Sequence, residues 1–140
     1  MLLGIDPLLT GDLLAALDAM GHSDAVCLAD AHFPADRIAD RLLVLPGLAT
    51  PDLLRAVRSV LPLDDAPAVD LMASADGTVL PVQHDLMAAA QVGQDGTRFL
   101  DRHEFYREAA GAYLVVRTGE TRTYGNVMVR KGVVPVTMGY

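Results

Sequence analysis

Two histidines and two aspartates fall within the eleven residues from His22 to His32, in the strings Gly21-His22-Ser23-Asp24 and Asp30-Ala31-His32-Phe33-Pro34. Imidazole titrates near neutrality and an ionised carboxylate accepts hydrogen bonds, so these residue types can together move protons and hold a hydroxyl-rich molecule. By residue type alone other readings stay open. His22 is also what a polar helix-terminal position carries, because a cationic ring is favourable at a helix C-terminus, and Asp24 and Asp30 also suit turns or caps. A rival chemistry takes His22-x-Asp24 and Asp30-x-His32 as ligands for one or two divalent metals that would activate water for hydrolysis.

The surrounding pattern predicts short elements in alternating helix and strand order. Thr10 caps a first helix with Leu13, Leu14, Leu17 and Met20 on its apolar positions, and Gly21 ends it in a left-handed turn, leaving His22 just past the terminus. Ala25 to Ala29 is a short apolar run that suits a buried strand delivering Asp30 and His32 into a loop, where open α/β sheets place their ligand sites. Leu42 to Leu45 is a second strand, and Thr50-Pro51-Asp52 opens a helix with Thr50 as the cap and proline at the first helical position, running to about Val60. Further on come a strand over Val69 to Ser74, a turn at Asp76-Gly77, a helix from Val82 to Gln91 ended by Gly93, and a strand at Arg98-Phe99-Leu100. A helix over Glu104 to Ala110, a strand over Tyr113 to Val116 and a last strand over Val127 to Val129 complete the order, with the last eight residues as a tail or interface arm.

These elements predict one α/β domain over 1–140, a central short-stranded sheet flanked by helices. With 140 residues and 51% hydrophobic content the chain has enough apolar side chain for a core. Eighteen acidic against eleven basic side chains give a net charge of −7, which opposes wrapping of a phosphate backbone and argues against nucleic-acid binding. No apolar run reaches the roughly 20 residues of a membrane span, and a signal-peptide pattern is lacking, so a cytoplasmic location is expected. The single cysteine, Cys27, rules out an internal disulfide and reads as a small buried hydrophobe.

Gly-His-Ser-Asp around residue 22, Asp-Ala-His-Phe-Pro at 30–34 and Tyr124-Gly125-Asn126 occur in one order, with Thr-Pro-Asp-Leu-Leu at 50–54, Leu-Pro-Leu-Asp at 61–64, Arg102-x-x-Phe105-Tyr106, Thr-Gly-Glu at 118–120 and Arg-Lys-Gly-Val at 130–133. In this ordered set the chain resembles the sugar mutarotase family that contains fucose mutarotase and ribose pyranase. The resemblance spans nearly the whole chain and is weakest over 76–98. It is nearer the fucose type: Arg102 stands where ribose pyranase relatives carry histidine, although Ser23 replaces the glycine of the fucose-type motif and Arg107-Glu108 reverses the fucose-type order.

The resemblance implies a cofactor-free and metal-free isomerase acting on a free monosaccharide, L-fucose in first place. It also implies a ring-shaped homo-oligomer, an octamer or decamer, with sites at subunit boundaries. It gives His22 the catalytic proton, places Asp30, Arg102, Tyr124, Gly125 and Asn126 on the sugar, and assigns Asp64 to the site. The residue types suit these roles. Mutarotation needs one group to take the anomeric hydroxyl proton and another to protonate the ring oxygen, and a group titrating near pH 7 serves both directions. Arg102 offers a planar fork for vicinal hydroxyls, Asn126 both donor and acceptor, and Gly125 a close backbone approach to a ligand. Tyr124 and Asp64 are alternative second proton-handling groups, and His32 is a further candidate by proximity. His84 and His103 read as surface or supporting groups. A D-ribose pyranase-type reaction, metal-dependent hydrolysis and non-catalytic sugar binding are the alternatives.

Overall fold

In the computed structural model, which describes residues 1–65 and 67–136, six strands form one mixed sheet with helices on both faces. The elements in chain order are α1 (Gly11–Ala19), β1 (Ala25–Ala29), α2 (Ala35–Ile38), β2 (Leu42–Leu45), α3 (Thr50–Arg58), β3 (Val69–Met72) and α4 (Pro81–Ala90). They continue with a 3₁₀ turn (Gln94–Gly96), β4 (Thr97–Leu100), α5 (Arg102–Ala110), β5 (Leu114–Thr118) and β6 (Val127–Arg130). Strand order across the sheet is β2-β5-β1-β6-β3-β4, and β6 alone runs antiparallel to its neighbours β1 and β3.

Strand β1 is central and reads as a continuous apolar run because both of its faces are covered. Val26 and Leu28 pack with Leu13 and Leu17 of α1, Leu53 and Val57 of α3, and Leu86 of α4. Cys27 and Ala29 face the other layer, with Ala35 of α2 and Phe105 and Ala109 of α5. Burial pushes the Cys27 thiol well above its ordinary value, with the nearby Asp30 charge adding to the effect, so this cysteine stays a protonated core group.

The helix boundaries follow local chemistry, with several departures from the expected ones. Thr10 caps α1, its hydroxyl accepting the Leu13 N–H at 3.2 Å. The left-handed residue after α1 is Ser23, at φ 71°, and not Gly21. Helix α3 ends at Arg58, and its cap is Ala49; the Thr50 hydroxyl turns inward to Thr118 Oγ1 at 3.0 Å, so a buried hydroxyl pair outcompetes capping there. Helix α4 is ended by left-handed Gln91, φ 58°, two residues before the glycine expected to do it. Helix α5 starts at Arg102, two residues early, because Asp101 caps it by accepting the Glu104 N–H at 2.9 Å. Strand β3 stops at Met72, short of Ser74, and the one-turn helix α2 carries no sequence signal of its own. Of the expected tail, 137–140 lie outside the described residues.

A buried ion cluster ties three strands together. Asp70 of β3 is fully buried and accepts from Nε and an NH2 nitrogen of Arg98 on β4, both at 2.9 Å, and from Arg130 on β6. Burial alone would raise the Asp70 pKa; the two guanidiniums outweigh it and hold the carboxyl below its ordinary value.

Candidate functional site

Because β1, β3 and β4 all point the same way, their C-terminal ends deliver Asp30, Met72 and the Asp101-Arg102 corner to one edge of the sheet. Antiparallel β6 begins at that same edge, so the preceding Tyr124-Gly125-Asn126 arrives beside Asp30. Together they enclose a cavity of about 190 Å³ lined by Asp30, His32, Phe33, Met72, Arg102, Tyr106, Thr123, Tyr124 and Asn126. This is the crevice beyond the strand ends that open α/β sheets use for ligands.

Asp30, at 3% exposure, is held on several sides. Its Oδ1 accepts the His32 N–H at 3.0 Å and its Oδ2 the Gly125 N–H at 3.2 Å, while its own N–H donates to Asn126 Oδ1 at 2.8 Å. Burial raises its pKa, and the N–H donors, His32 first, offset only part of that rise. Since Asn126 spends its carbonyl on Asp30, its NH2 group is left to donate into the cavity it lines. Tyr124 holds a left-handed backbone, φ 62°, where a non-glycine residue is strained, and such strain gathers at ligand sites. Gly125 also has a packing role. A Cβ there would lie 2.8 Å from Glu120 Cγ and 3.0 Å from the Arg122 carbonyl oxygen, so the missing side chain makes room for the loop's own packing.

Four lining residues, Phe33, Met72, Tyr106 and Thr123, are not among the site candidates of the sequence, although Phe33 and Tyr106 fall within its family-like motifs. Phe33 meets Tyr106 edge-on at 5.4 Å between ring centroids and is backed by Phe105 at 5.9 Å, giving the cavity an apolar part to its lining. Tyr106 had a legible signal, since it stands at i+4 from Arg102 and so shares its helix face. A second cavity, about 350 Å³, adjoins the first through Arg102 and Tyr124 and is also lined by Ser74 and His103. His84 is exposed on α4.

His22 and Asp64 form a separate cluster. His22 Nε2 lies 3.0 Å from Asp64 Oδ1, and the Ser23 hydroxyl donates to Asp64 Oδ2 at 2.7 Å. The Ser23 hydroxyl, then the His22 ring and the Asp65 N–H, hold the Asp64 carboxyl below its ordinary value. The imidazole is open, with 60% of its side chain exposed against 17% for Asp64. This cluster precedes β1 and Asp30 follows it, so the two stand about 20 Å apart along an extended chain. The same separation divides His22-x-Asp24 from Asp30-x-His32, so the two pairs cannot share one metal ion. Among the described residues no group of three or more His, Cys, Asp or Glu side chains is gathered as a metal site.

A six-stranded sheet of this order, with a polar cavity at the β1 edge and a His-Asp pair at the other end, bears comparison with known proteins. The model of the RbsD / FucU transport protein family matches residues 3–134. The chain belongs to this family. Among solved structures it is similar to the fucose mutarotase of Streptococcus pneumoniae in complex with L-fucose, at 31% identity and a TM-score of 0.89, over 96% of this chain and 100% of that one. It is similar to FucU from Bifidobacterium longum at 32% identity and a TM-score of 0.83, over 94% and 99% of the two chains. Bacillus subtilis RbsD complexed with D-ribose shares the fold, at 23% identity and a TM-score of 0.76, over 96% of this chain and 100% of that one. Among the described residues no helix is long and apolar enough to cross a membrane.

Proposed function

We propose that this RbsD / FucU family member is a cofactor-independent mutarotase that interconverts the α and β anomers of a free monosaccharide, with a 6-deoxyhexose such as L-fucose as substrate. One observation carries the reading: Asp30, Asn126, Arg102 and Tyr124 converge on a cavity with room for a single sugar and an apolar wall of Phe33, Met72 and Tyr106. Carboxylate, amide and guanidinium groups suit an array of hydroxyls. The apolar wall suits a methyl group, which a 6-deoxyhexose has at C6 and a pentose lacks.

The chemistry requires a proton carrier, and His22 fits it by exposure and by partner. Ionised Asp64 is acceptor-only, so it fixes the imidazole with the proton on Nε2 and leaves the Nδ1 lone pair free. Nδ1 takes the anomeric hydroxyl proton as the C1–O5 bond breaks, its electron pair passing to O5, which is protonated by a second group. Tyr124 on the cavity wall fills that second role, while Asp64 acts through His22. The open aldehyde turns about C1–C2, O5 attacks the other face, and both protons return, so no net oxidation or group transfer occurs.

One chain cannot bring His22 to its own Asp30, because β1 separates them. A second copy therefore supplies His22 to the cavity of the first. Two different patches then meet, a heterologous contact of the kind that closes as a ring, consistent with an octamer or decamer. The exposed Met1, Leu2 and Leu3 and the exposed Val133, Val134 and Val136 are apolar surface that such contacts would cover.

Saturation transfer between α and β resonances, measured by NMR for L-fucose and D-ribose with and without protein, tests the reading. Exchange above buffer for L-fucose, abolished by His22→Asn and untouched by His84→Ala, is the expected result. Exchange of D-ribose alone would make the chain pyranase-like. Sugar binding with no exchange would make it a binding protein, and loss of activity on chelation with recovery on added divalent metal would favour the hydrolase chemistry.

A further inference from the structure

We infer that Lys131 is a positioning residue for the His22-Asp64 pair, an inference that rests on the reading of His22 as the proton carrier. The ammonium of Lys131 donates to three main-chain carbonyls at the end of α1, Leu17 and Met20 at 2.7 Å and Asp18 at 3.2 Å. An ammonium has three donors, and all three are engaged. The last turn of α1 has no basic residue of its own, so its orphan carbonyls and their partial negative charge are met by a lysine more than a hundred residues away.

The backbone around Lys131 makes this contact more than a helix cap. Its N–H donates to the Asp24 carbonyl at 2.9 Å, and its carbonyl accepts the Ser23 N–H at 2.8 Å, which grips both residues following His22. On its other edge the same segment bridges to Leu63, with the Asp64 N–H donating to the Arg130 carbonyl at 3.0 Å and the Gly132 N–H to the Pro62 carbonyl at 2.7 Å. Gly132 has no room for a side chain, since a Cβ there would lie 2.2 Å from the Leu63 carbonyl oxygen. Residues 130–132 therefore lie between the turn that carries His22 and the strand-like segment that carries Asp64. The Lys131 side chain pins the α1 end from which the His22 turn departs, and the Lys131 main chain sets that turn's distance from Asp64. Ser23 is bent to φ 71° within this junction, a strained conformation that persists only where its surroundings over-determine it.

The test compares wild type with Lys131→Met, which keeps the length of the stem and removes the ammonium, and with the milder Lys131→Gln, which keeps a donor and serves if the first variant fails to fold. Two readings are taken on folded protein: anomer exchange kinetics, and the nitrogen-15 shifts of the His22 ring, which report its tautomer. The expected result is a kcat lower by between about 10- and 100-fold for Lys131→Met, the scale of a mispositioned catalytic group, with sugar KM held. The His22 ring changes in the same variant from a single Nε2-protonated form to an average of both tautomers, and Lys131→Gln falls between. A variant that melts earlier yet keeps wild-type kcat and the wild-type ring shifts would show a helix cap and nothing more, overturning the inference. If the wild type exchanges no sugar, the proposed function fails, while the ring shifts still decide whether Lys131 sets His22 against Asp64.

Discussion

His22 Nε2 and Asp64 Oδ1 lie 3.0 Å apart although 42 positions separate them in the chain, and the Ser23 hydroxyl occupies the other oxygen of the same carboxylate. The carboxylate is thereby committed to orienting the turn that carries the imidazole. The pair lies at the opposite end of β1 from Asp30, and in the assembly proposed above another copy's cavity would complete the site.

Replacing the ring or its partner has graded consequences. His22→Asn removes the proton carrier and lowers anomer exchange by about 10²- to 10⁴-fold, the usual contribution of general acid-base catalysis. Asp64→Asn retains the imidazole but frees its tautomer, and its rate falls between wild type and His22→Asn. An Asp64→Asn rate equal to wild type would remove Asp64 from the mechanism.

A site shared between copies predicts complementation. His22→Asn keeps an intact cavity and Asp30→Asn keeps an intact imidazole, and each alone exchanges anomers more slowly than wild type. Co-assembled in equal amounts they regain up to about one quarter of wild-type sites, if subunits mix at random around a heterologous ring. Activity is read by saturation transfer on the mixed oligomer. No recovery in demonstrably mixed assemblies would show that His22 of one copy and Asp30 of another do not form one site.

Asp30 trades stability for binding. Its folded pKa is raised by burial above the ordinary 3.8. Between that value and its own raised one, the folded state keeps a proton that the unfolded chain has released, so stability contributed at this position falls as pH rises. The stability of Asp30→Asn relative to wild type should therefore increase as pH is raised from below 3.8 through this window, while sugar affinity drops. Denaturant melts at several pH values measure the first effect and titration with sugar the second. A difference independent of pH would contradict the raised value.

Asp70 behaves in the opposite sense. Arg98 and Arg130 hold its folded pKa below the ordinary one, so its stabilising contribution is complete above 3.8 and is lost as pH falls through the depressed value. Asp70→Asn removes the negative charge and one of the two acceptor oxygens facing the guanidiniums of Arg98 and Arg130, of which Arg130 is largely buried, and costs about 3 kcal/mol near neutral pH. Chemical denaturation measures that loss, and sugar KM stays at the wild-type value because Asp70 is not among the residues lining the cavity.

Much of this is legible in the sequence. The apolar run Ala25–Ala29 announced a buried strand because its length and flanking aspartates left little else for it to be, and Asp30 at its end followed from the rule that strand ends carry ligands. Thr10 was legible as a cap because its signal is local. Thr50 misled for the same reason: a threonine before proline is a good local cap, but Thr118, from the far end of the chain, offered its hydroxyl a buried partner. The packing role of Gly125 was not legible, since the atoms it makes room for belong to the Glu120 side chain and the Arg122 main chain.

By itself, the order of residue types determined the α/β class and the central strand, because periodicity, caps and strand ends are short-range properties of the chain, while the set of candidate sugar-binding and proton-carrying groups rested on the ordered motifs that resemble the sugar mutarotase family. The tertiary structure alone decided how that set divides. Asp30, Arg102, Tyr124 and Asn126 share a cavity because the strands before Asp30 and Arg102 run parallel and the one after Asn126 runs antiparallel, whereas His22 and Asp64 meet at the other end because β6 and its extension through Lys131 lie between their segments. Strand direction and register are set by pairing between distant segments, which no local pattern encodes.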